Sequence, residues 1–525
     1  MHSKHATGKN VKDVVLVPAP SSDPDDPLNW SPRRKALAIT CMCVYTLMVG
    51  IASAAIYSVL VPISTATGLT LGDLNAGTGY MFLFFGWGCL VWQPLALQYG
   101  KRPVYLVSML ATLAIQVWAP FTKTNGQWIA NKILQGFFGA PIESLCEITC
   151  CDLYFQHQRG AYIALYGLLL AGSNFFAPII AGFIADGQGW QWVLYWCAIF
   201  CGIGFVFLFF FMEETNYTRS PIHGDTPTSA SEQSSEAVGT EKQLDEKAIA
   251  PVDNPVAETG NTTLPPSRKT YIQKLYLFQS MDLNKPNQLK GMVMRPLIFL
   301  TFPVVFYAGF SYGSSLVWFN VLNGTASLIL GETYGFPASM VGLTYISPLI
   351  GVAIAAFYTG IIGDRFTLKM ARRNGGILES EFRLWLFAPS VILVPWALIQ
   401  WGVGAAHHIH WFGCVFAMCL IAITNTVGIQ LSVSYNIDSY RALAGDSLVT
   451  VIIVRNTMSF AIGYGITPWI NNMGLQNAFI TAAFVGMAQV LTVLIFIKCG
   501  KGIRERSIRR YEKYLQQMVE GGLAH

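Results

Sequence analysis

Charge is what this sequence has least of. Across 525 residues, Asp, Glu, Lys and Arg make up 12%, about half the share usual in soluble domains. Hydrophobic residues reach 53%, and the mean hydropathy is +0.44. That balance excludes both an ordinary water-soluble enzyme and a wholly disordered chain. The net charge is only +5, too small a surplus in so apolar a chain to suggest nucleic-acid binding. A nucleotide-binding P-loop, a His/Cys set with metal-ligand spacing and a Ser/His/Asp arrangement are also missing. Neither ATP-driven work nor enzyme catalysis is expected, and no cofactor.

The apolar residues come in blocks of the length needed to cross a bilayer, about 20 residues at 1.5 Å rise each. Six precede residue 213 (36–62, 74–98, 104–121, 127–151, 161–185 and 190–212). Six follow (296–322, 339–362, 384–404, 411–436, 447–468 and 475–498). The first lies behind a polar stretch and is followed at once by another block, so it reads as a span rather than a signal peptide. With the N-terminus inside, 31 Lys and Arg fall on the cytoplasmic side and one, Lys123, outside; Lys132 and Arg455 lie within spans. The positive-inside rule then gives twelve spans with both termini cytoplasmic. The expected layout is a cytoplasmic segment 1–35, a six-helix half 36–212, a linker 213–295, a second six-helix half 296–498 and a tail 499–525. Residues 220–268, rich in Ser, Thr, Glu, Gly and Pro, are expected to be disordered. The aromatic and basic stretch 271–295 is expected at the membrane surface. Two six-span halves joined by such a linker suit a secondary transporter, with its site between the halves.

No outer loop contains any of the eleven cysteines, so no extracellular disulfide is available. Cys150-Cys151 reads as packing. His407, His408 and His410 read as surface residues, with a pH-sensing or metal role as the alternative. Among the Asn-x-Ser/Thr sequons, Asn323-Gly-Thr325 falls just past the seventh span on the outer side, the one position open to glycosylation.

Ionisable groups inside spans cost about 2.5–3.5 kcal/mol each at mid-helix, so each needs a reason. The fourth span carries Lys132, Glu143 and Glu147. At 100° per residue, Glu143 falls about 20° from the Lys132 face and Glu147 about 40° further round. The stripe therefore faces protein or water. A carboxylate in a partly dry cavity can bind and release a proton in each cycle, or serve as counter-ion to a cationic substrate. The alternative is a permanent ion pair or helix contact. Lys132 either assists coupling or snorkels to the interface. Arg455 lies about 12 Å inside the cytoplasmic end of its span, and Glu143 at a matching depth in its own. They are expected either to interact across the halves, or Arg455 to be satisfied nearby by Asp438, Asp446 or helix-end carbonyls. Asn320, Gln430, Tyr435 and Asn436 are candidate hydrogen-bonding groups in the second-half cavity. Tyr57, Trp87, Trp92, Trp318 and Tyr435 line a cavity or simply pack.

Two cytoplasmic turns correspond. Gln93 to Pro103 follows the second span, with Gly100-Lys101-Arg102 inside it, and Gly360-Ile-Ile-Gly-Asp364-Arg365 follows the eighth. Together these resemble the G-x-x-x-D-R-x-G-R-R loop of the major facilitator superfamily, and the chain resembles that family over essentially its whole length. Leu97 and Gln93 stand where the family has an acid and a glycine. The resemblance implies the major facilitator fold and gating roles for Gly100, Lys101, Arg102, Gly360, Asp364 and Arg365, with Asp364 latching one conformation; Arg455 joins the gating candidates through the cross-half contact that its depth suggests. Lys132-Ile-Leu-Gln135-Gly136 is similar to the family's R-x-x-Q-G motif, which implies a part in proton coupling for Lys132 and Gln135. Ala177-Pro178-Ile-Ile-Ala-Gly182 resembles the antiporters' fifth-span signature, with Ala twice replacing Gly, and implies a sliding contact at Pro178. Asp23 to Ser31, Tyr99 to Tyr105, Asp152 with Arg159-Gly160, Gly189 to Trp192 and Glu213-Glu-Thr215 resemble fungal twelve-span drug:H⁺ antiporters. Ala140-Pro-Ile-Glu143 with Glu147 and Asp152 is similar to the Hol-type organic-cation and polyamine carriers. The resemblance implies proton-coupled export of a drug, toxin or secondary metabolite, or alternatively uptake of organic cations. The implied partners are a small-molecule substrate, protons and the lipid bilayer of the plasma membrane, for a monomer. A non-transporting sensor is the reading from another class.

Overall fold

The computed structural model describes residues 21, 23, 25–217, 270–278, 288–376, 379–440 and 444–520. The expected disordered joint at 220–268 lies outside the described residues. Those residues form helices and no strands. Among the described residues, nine helices are long and apolar enough to cross a membrane. The number is ten if Leu289–Phe299 and Pro303–Thr333, which meet at a 77° bend, are counted as one span.

The difference from the twelve expected spans has local causes. The fourth block is divided into α5 (Asn125–Gly139) and α6 (Pro141–Leu153), because Pro141 has no N–H to continue the ladder. The last two blocks run together as one helical stretch, Ala444–Leu491, which turns at Gly474 (φ 74°, ψ 159°), a conformation open chiefly to glycine. The last helix, Val493–Glu520, passes the expected boundary at 498 without a break.

The other elements follow their end signals. Ser31 caps the helix Pro32–Ala54. Thr70 and Asp73 form a reciprocal capping box at the start of α3 (Leu71–Tyr99). Gly100, at φ 112°, both ends α3 and starts α4 (Lys101–Trp118). Large apolar side chains stand exposed around the outside (Ile392 is 70% exposed, Ile203 63%). A water-soluble monomer does not display such a belt, and lipid accepts it.

The seam between the first and second halves of the chain runs along two pairs of helices. In one, α3 lies on Ala444–Leu491. In the other, α7 (Gln156–Gln188) lies on Ala338–Thr344. Both need small residues. A Cβ on Gly182 would stand 2.3 Å from the Ala338 carbonyl oxygen, and one on Gly342 would stand 2.6 Å from that of Pro178. The close approach expected at the fifth-span Pro-Gly signature is therefore present in the packing.

The two ends of the bundle differ. Charges gather at one, called the basic end here: Arg34–Glu213 (2.5 Å), Lys101–Asp152, Arg383–Asp438 (2.9 Å) and Arg504–Glu381 (2.7 Å). At the other end the halves are stitched by hydrogen bonds without an ion pair among the described residues. Asn75 Nδ2 donates to the Gly324 carbonyl and to Thr467 Oγ1 (3.2 Å each), and the Val61 N–H to Ser327 Oγ (3.2 Å). The Ser339 N–H donates there to Asp186 (2.9 Å).

Candidate functional site: a charge cluster between the halves

The break at Pro141 sets the site. It starts a short helix, α6, whose first turn carries Glu143. A carboxylate there is favoured by the unsatisfied N–H groups and dipole of the helix N-terminus. Its side chain reaches out of the first half and forms an ion pair with Arg455. The second guanidinium nitrogen of Arg455 donates to the Tyr312 hydroxyl, and its Cζ lies 4.4 Å from the Tyr312 ring centroid. Of the two partners the depth argument left open, Arg455 takes the one across the seam. Asp446 instead lies 4.0 Å from Arg295, and Asp438 binds Arg383.

One turn further along α6, Glu147 has neither a hydrogen bond nor an ion-pair partner among the described residues. It lies close enough to Tyr312 and Tyr166 to act electrostatically on both hydroxyls. Tyr312 is the residue that sequence reasoning missed. A lone tyrosine in an apolar helix carries no signal of its own. What places it is the crossing of Pro303–Ala326 with Ala444–Leu491 at Gly313, where a Cβ would stand 3.1 Å from Arg455 Cα.

Lys132 shares the helical face but not the cluster. It is fully buried inside the first half, where Nζ donates to Gln135 Oε1 (2.8 Å) and sits 4.7 Å from the Trp128 ring centroid. Gln135 Nε2 in turn donates to the Ala52 carbonyl (2.9 Å). Lys132 thus neither snorkels nor pairs with a carboxylate among the described residues.

Asn320 lies two turns from Tyr312, toward the end away from the basic residues. There it lines a small cavity with Tyr57, Asn75, Phe82 and Ser459. Its Nδ2 has no hydrogen-bond partner among the described residues. Tyr435 and Asn436 are not brought to the cluster. Tyr435 packs against Tyr307 in the second half's own core, and Asn436 donates to Ser447 Oγ (2.9 Å). Gln430 accepts from the Thr359 hydroxyl. Trp87 donates across the seam to Thr457 Oγ1 (3.2 Å), while Trp92 donates within its half to the Phe137 carbonyl (2.7 Å).

The two cytoplasmic-turn motifs differ in what they hold. Arg102 is fully buried. Its guanidinium donates to the Met212 and Phe209 carbonyls (2.8 Å each) and to that of Leu275. Glu214 accepts from the N–H groups of Lys101 (3.0 Å) and Arg102 (2.9 Å), capping α4. Glu213-Glu-Thr215 is a family mark in the sequence, and the structure supplies its physical use. Asp364 and Arg365 are both exposed in this conformation, and neither has a partner among the described residues. Gly360 has open space where a Cβ would sit.

Asn323 corrects the glycosylation expectation. The helix runs past the expected span end to Ala326 and continues as a wide turn to Thr333, so Asn323 is helical. It is 2% exposed, and its Oδ1 accepts from the Tyr345 hydroxyl (3.2 Å). His410 accepts from the Phe412 N–H (3.3 Å) at a helix start, and no group of metal-binding side chains forms among the described residues.

The family model described as Major Facilitator Superfamily matches residues 42–468. An uncharacterized MFS-type transporter of Schizosaccharomyces pombe is 29% identical, covering 98% of this chain and 92% of its own length. Protein HOL1 of Saccharomyces cerevisiae is 26% identical over 96% of this chain and 92% of its own. MFS transporter cpaT of Aspergillus oryzae is 23% identical over 94% and 91%. Among solved structures, an auto-inhibited POT family peptide transporter aligns with a TM-score of 0.58 at 13% identity, covering 89% of this chain and 97% of its own. A D-xylose–proton symporter aligns with 0.54 at 13%, covering 88% and 97%. At that identity these two speak for the fold alone. With the family model matched across both halves, the chain belongs to the Major Facilitator Superfamily: it is a multi-pass membrane transporter and not an enzyme.

Proposed function

We propose that this protein is a proton-coupled secondary transporter that exports an amphipathic small organic molecule across the plasma membrane, through twelve spans with both termini cytoplasmic. The twelve are reached by counting α5 with α6 as one bent span, Leu289–Phe299 with Pro303–Ala326 as another, and the two arms on either side of Gly474 separately. The observation that carries the reading is the Glu143–Arg455 ion pair across the seam, with Tyr312 as third member. An ion pair between two halves that must separate on one side and close on the other is made and broken in each cycle. A carboxylate released from its arginine in a poorly hydrated cleft can accept a proton. Proton binding then biases the two-state equilibrium between the conformations, as coupling requires.

A second reading, uptake of organic cations, has one observation in its favour: Glu147 is a carboxylate without a partner beside two tyrosines.

The deciding experiment uses yeast expressing the protein, with surface expression confirmed. Cells preloaded with rhodamine 6G should lose dye faster than vector controls. A protonophore and Glu143→Gln should each remove the difference. Dye loss indifferent to the proton gradient would sink proton-coupled export. In a strain lacking its own polyamine carriers, saturable labelled-spermidine uptake, stronger at low pH and lost in Glu143→Gln, would establish the second reading instead.

A further inference from the structure

One carboxylate meets Arg455 at the seam and a second lies one turn along the same helix, so the pairing is uneven. Arg455 spends one terminal nitrogen on Glu143 and the other on Tyr312, while its Nε has no partner. Glu147 stands one turn from Glu143 on the same short helix, about 6 Å along the axis and about 40° round it. Tyr312 is the third group of the cluster. It holds Arg455 by hydrogen bond and ring face, and it is within electrostatic reach of Glu147.

Pro141 starts a fresh helix, so the direction of α6 is not set by the ladder of α5. α6 is packed against α3, α7 and the helix Pro32–Ala54, so the group that moves between the two acids is the long Arg455 side chain, not the helix.

The two acids also differ in what supports their charge. Glu143 has the helix N-terminus and the arginine. Glu147 has neither. The titratable groups facing it are Tyr312 from Pro303–Ala326, Tyr166 from α7, and Cys146, Cys150 and Cys151 of its own helix. None of these brings a positive charge.

We propose that Arg455 is shared between Glu143 and Glu147, that Glu147 takes the transported proton while Arg455 is held on Glu143, and that Tyr312 is the positioning residue that lets the arginine pass from one acid to the other. Proton transfer here is simple protonation of the Glu147 carboxylate from water, returned when Arg455 arrives. The proposal rests on the reading of this cluster as the coupling site, yet its test needs no substrate. A failed stability experiment therefore leaves transport standing, and a failed transport experiment leaves the sharing intact.

The experiment is thermal unfolding of the purified full chain in nanodiscs, read by a thiol-reactive dye on the native buried cysteines, between about pH 5 and about pH 8, a range that spans carboxylate titration in low-dielectric sites. In Glu143→Gln, Arg455 should turn to Glu147. The midpoint should stay near wild type at high pH and fall as pH drops and Glu147 is protonated. Glu143→Gln/Glu147→Gln should lose more than the sum of the singles, by more than about 2 °C. It should also lose the pH dependence. Tyr312→Phe should leave wild type nearly unchanged but remove the high-pH rescue in the Glu143→Gln background. A merely structural tyrosine would lower every background equally. Additive losses, or a Glu143→Gln midpoint flat with pH, would overturn the proposal. So would a Glu143→Gln protein that fails to accumulate while Glu143→Gln/Arg455→Gln accumulates normally.

Discussion

Arg102 belongs to a turn motif associated with gating, but its surroundings make it a brace, and the two roles predict different outcomes for a conservative substitution. The guanidinium is fully buried and donates to three backbone carbonyls, two of them at the last turn of the helix Trp190–Phe211. Such carbonyls have no partner within the helix. A hydrogen bond from a charged donor is worth about 1.5–3 kcal/mol net, and an orphaned buried acceptor costs about 1–3 kcal/mol. Arg102→Lys places a single ammonium where a planar fork spans three acceptors, so at least one and in practice two carbonyls go unmet. The expected loss is about 3 kcal/mol, somewhat less than the sum of two bonds because losses within one network do not add. For a half of this size about 2–4 °C of melting midpoint accompanies each kcal/mol, so the shift should be about 6–12 °C. Arg102→Ala should cost more and reduce the amount of protein reaching the membrane. The assay is the same thiol-dye unfolding in nanodiscs, with dye efflux measured on the surviving fraction. If Arg102→Lys unfolds within about 2 °C of wild type yet no longer transports, the residue is a gate and the carbonyl argument is wrong.

Other outcomes follow from the same geometry. Asn323→Gln should leave the electrophoretic mobility of the expressed protein unchanged, and glycosidase treatment should not shift the wild type, because the side chain is buried against Tyr345. Its stability should fall by about 1 kcal/mol, measured as a lower unfolding midpoint. Asp364→Asn and Arg365→Gln should stay within about 0.5 kcal/mol of wild type in unfolding, since both side chains are exposed without partners. Gly182→Val should force the seam apart, because even a Cβ would stand 2.3 Å from the Ala338 carbonyl oxygen. Transport should be lost, whereas Gly160→Ala, with nothing within 4 Å, should behave as wild type.

Helices and their apolar cover were legible because hydropathy and helix-end signals act over a few residues of chain. The number of crossings is where the two differ: twelve were expected, and the described residues give nine helices long and apolar enough, or ten with the bent pair. A proline at 141 and a glycine at 474 decide how a helix is cut or joined, without altering how apolar the segment is. The Glu143–Arg455 contact was within reach of depth matching, since both positions are fixed by the rise per residue from the same membrane face. Lys132 shows where that reasoning stops. It shares a helical face with Glu143, yet it is enclosed by the first half's own helices, because a break between α5 and α6 lets the two pieces of one stripe face different neighbours.

By itself the sequence determined that this chain lives in a bilayer, that its family is the Major Facilitator Superfamily and that a few intramembrane charges need partners. Composition, periodicity and motif spacing are properties of the chain alone. Which partner each charge finds belongs to the fold. Tyr312 meets Arg455 only because two helices cross at Gly313, Tyr435 is withheld from the seam by its own half's core, and Asn323 is carried into a helix that outlasts its apolar block. Those are distances between residues far apart in sequence, set by packing that no local pattern encodes.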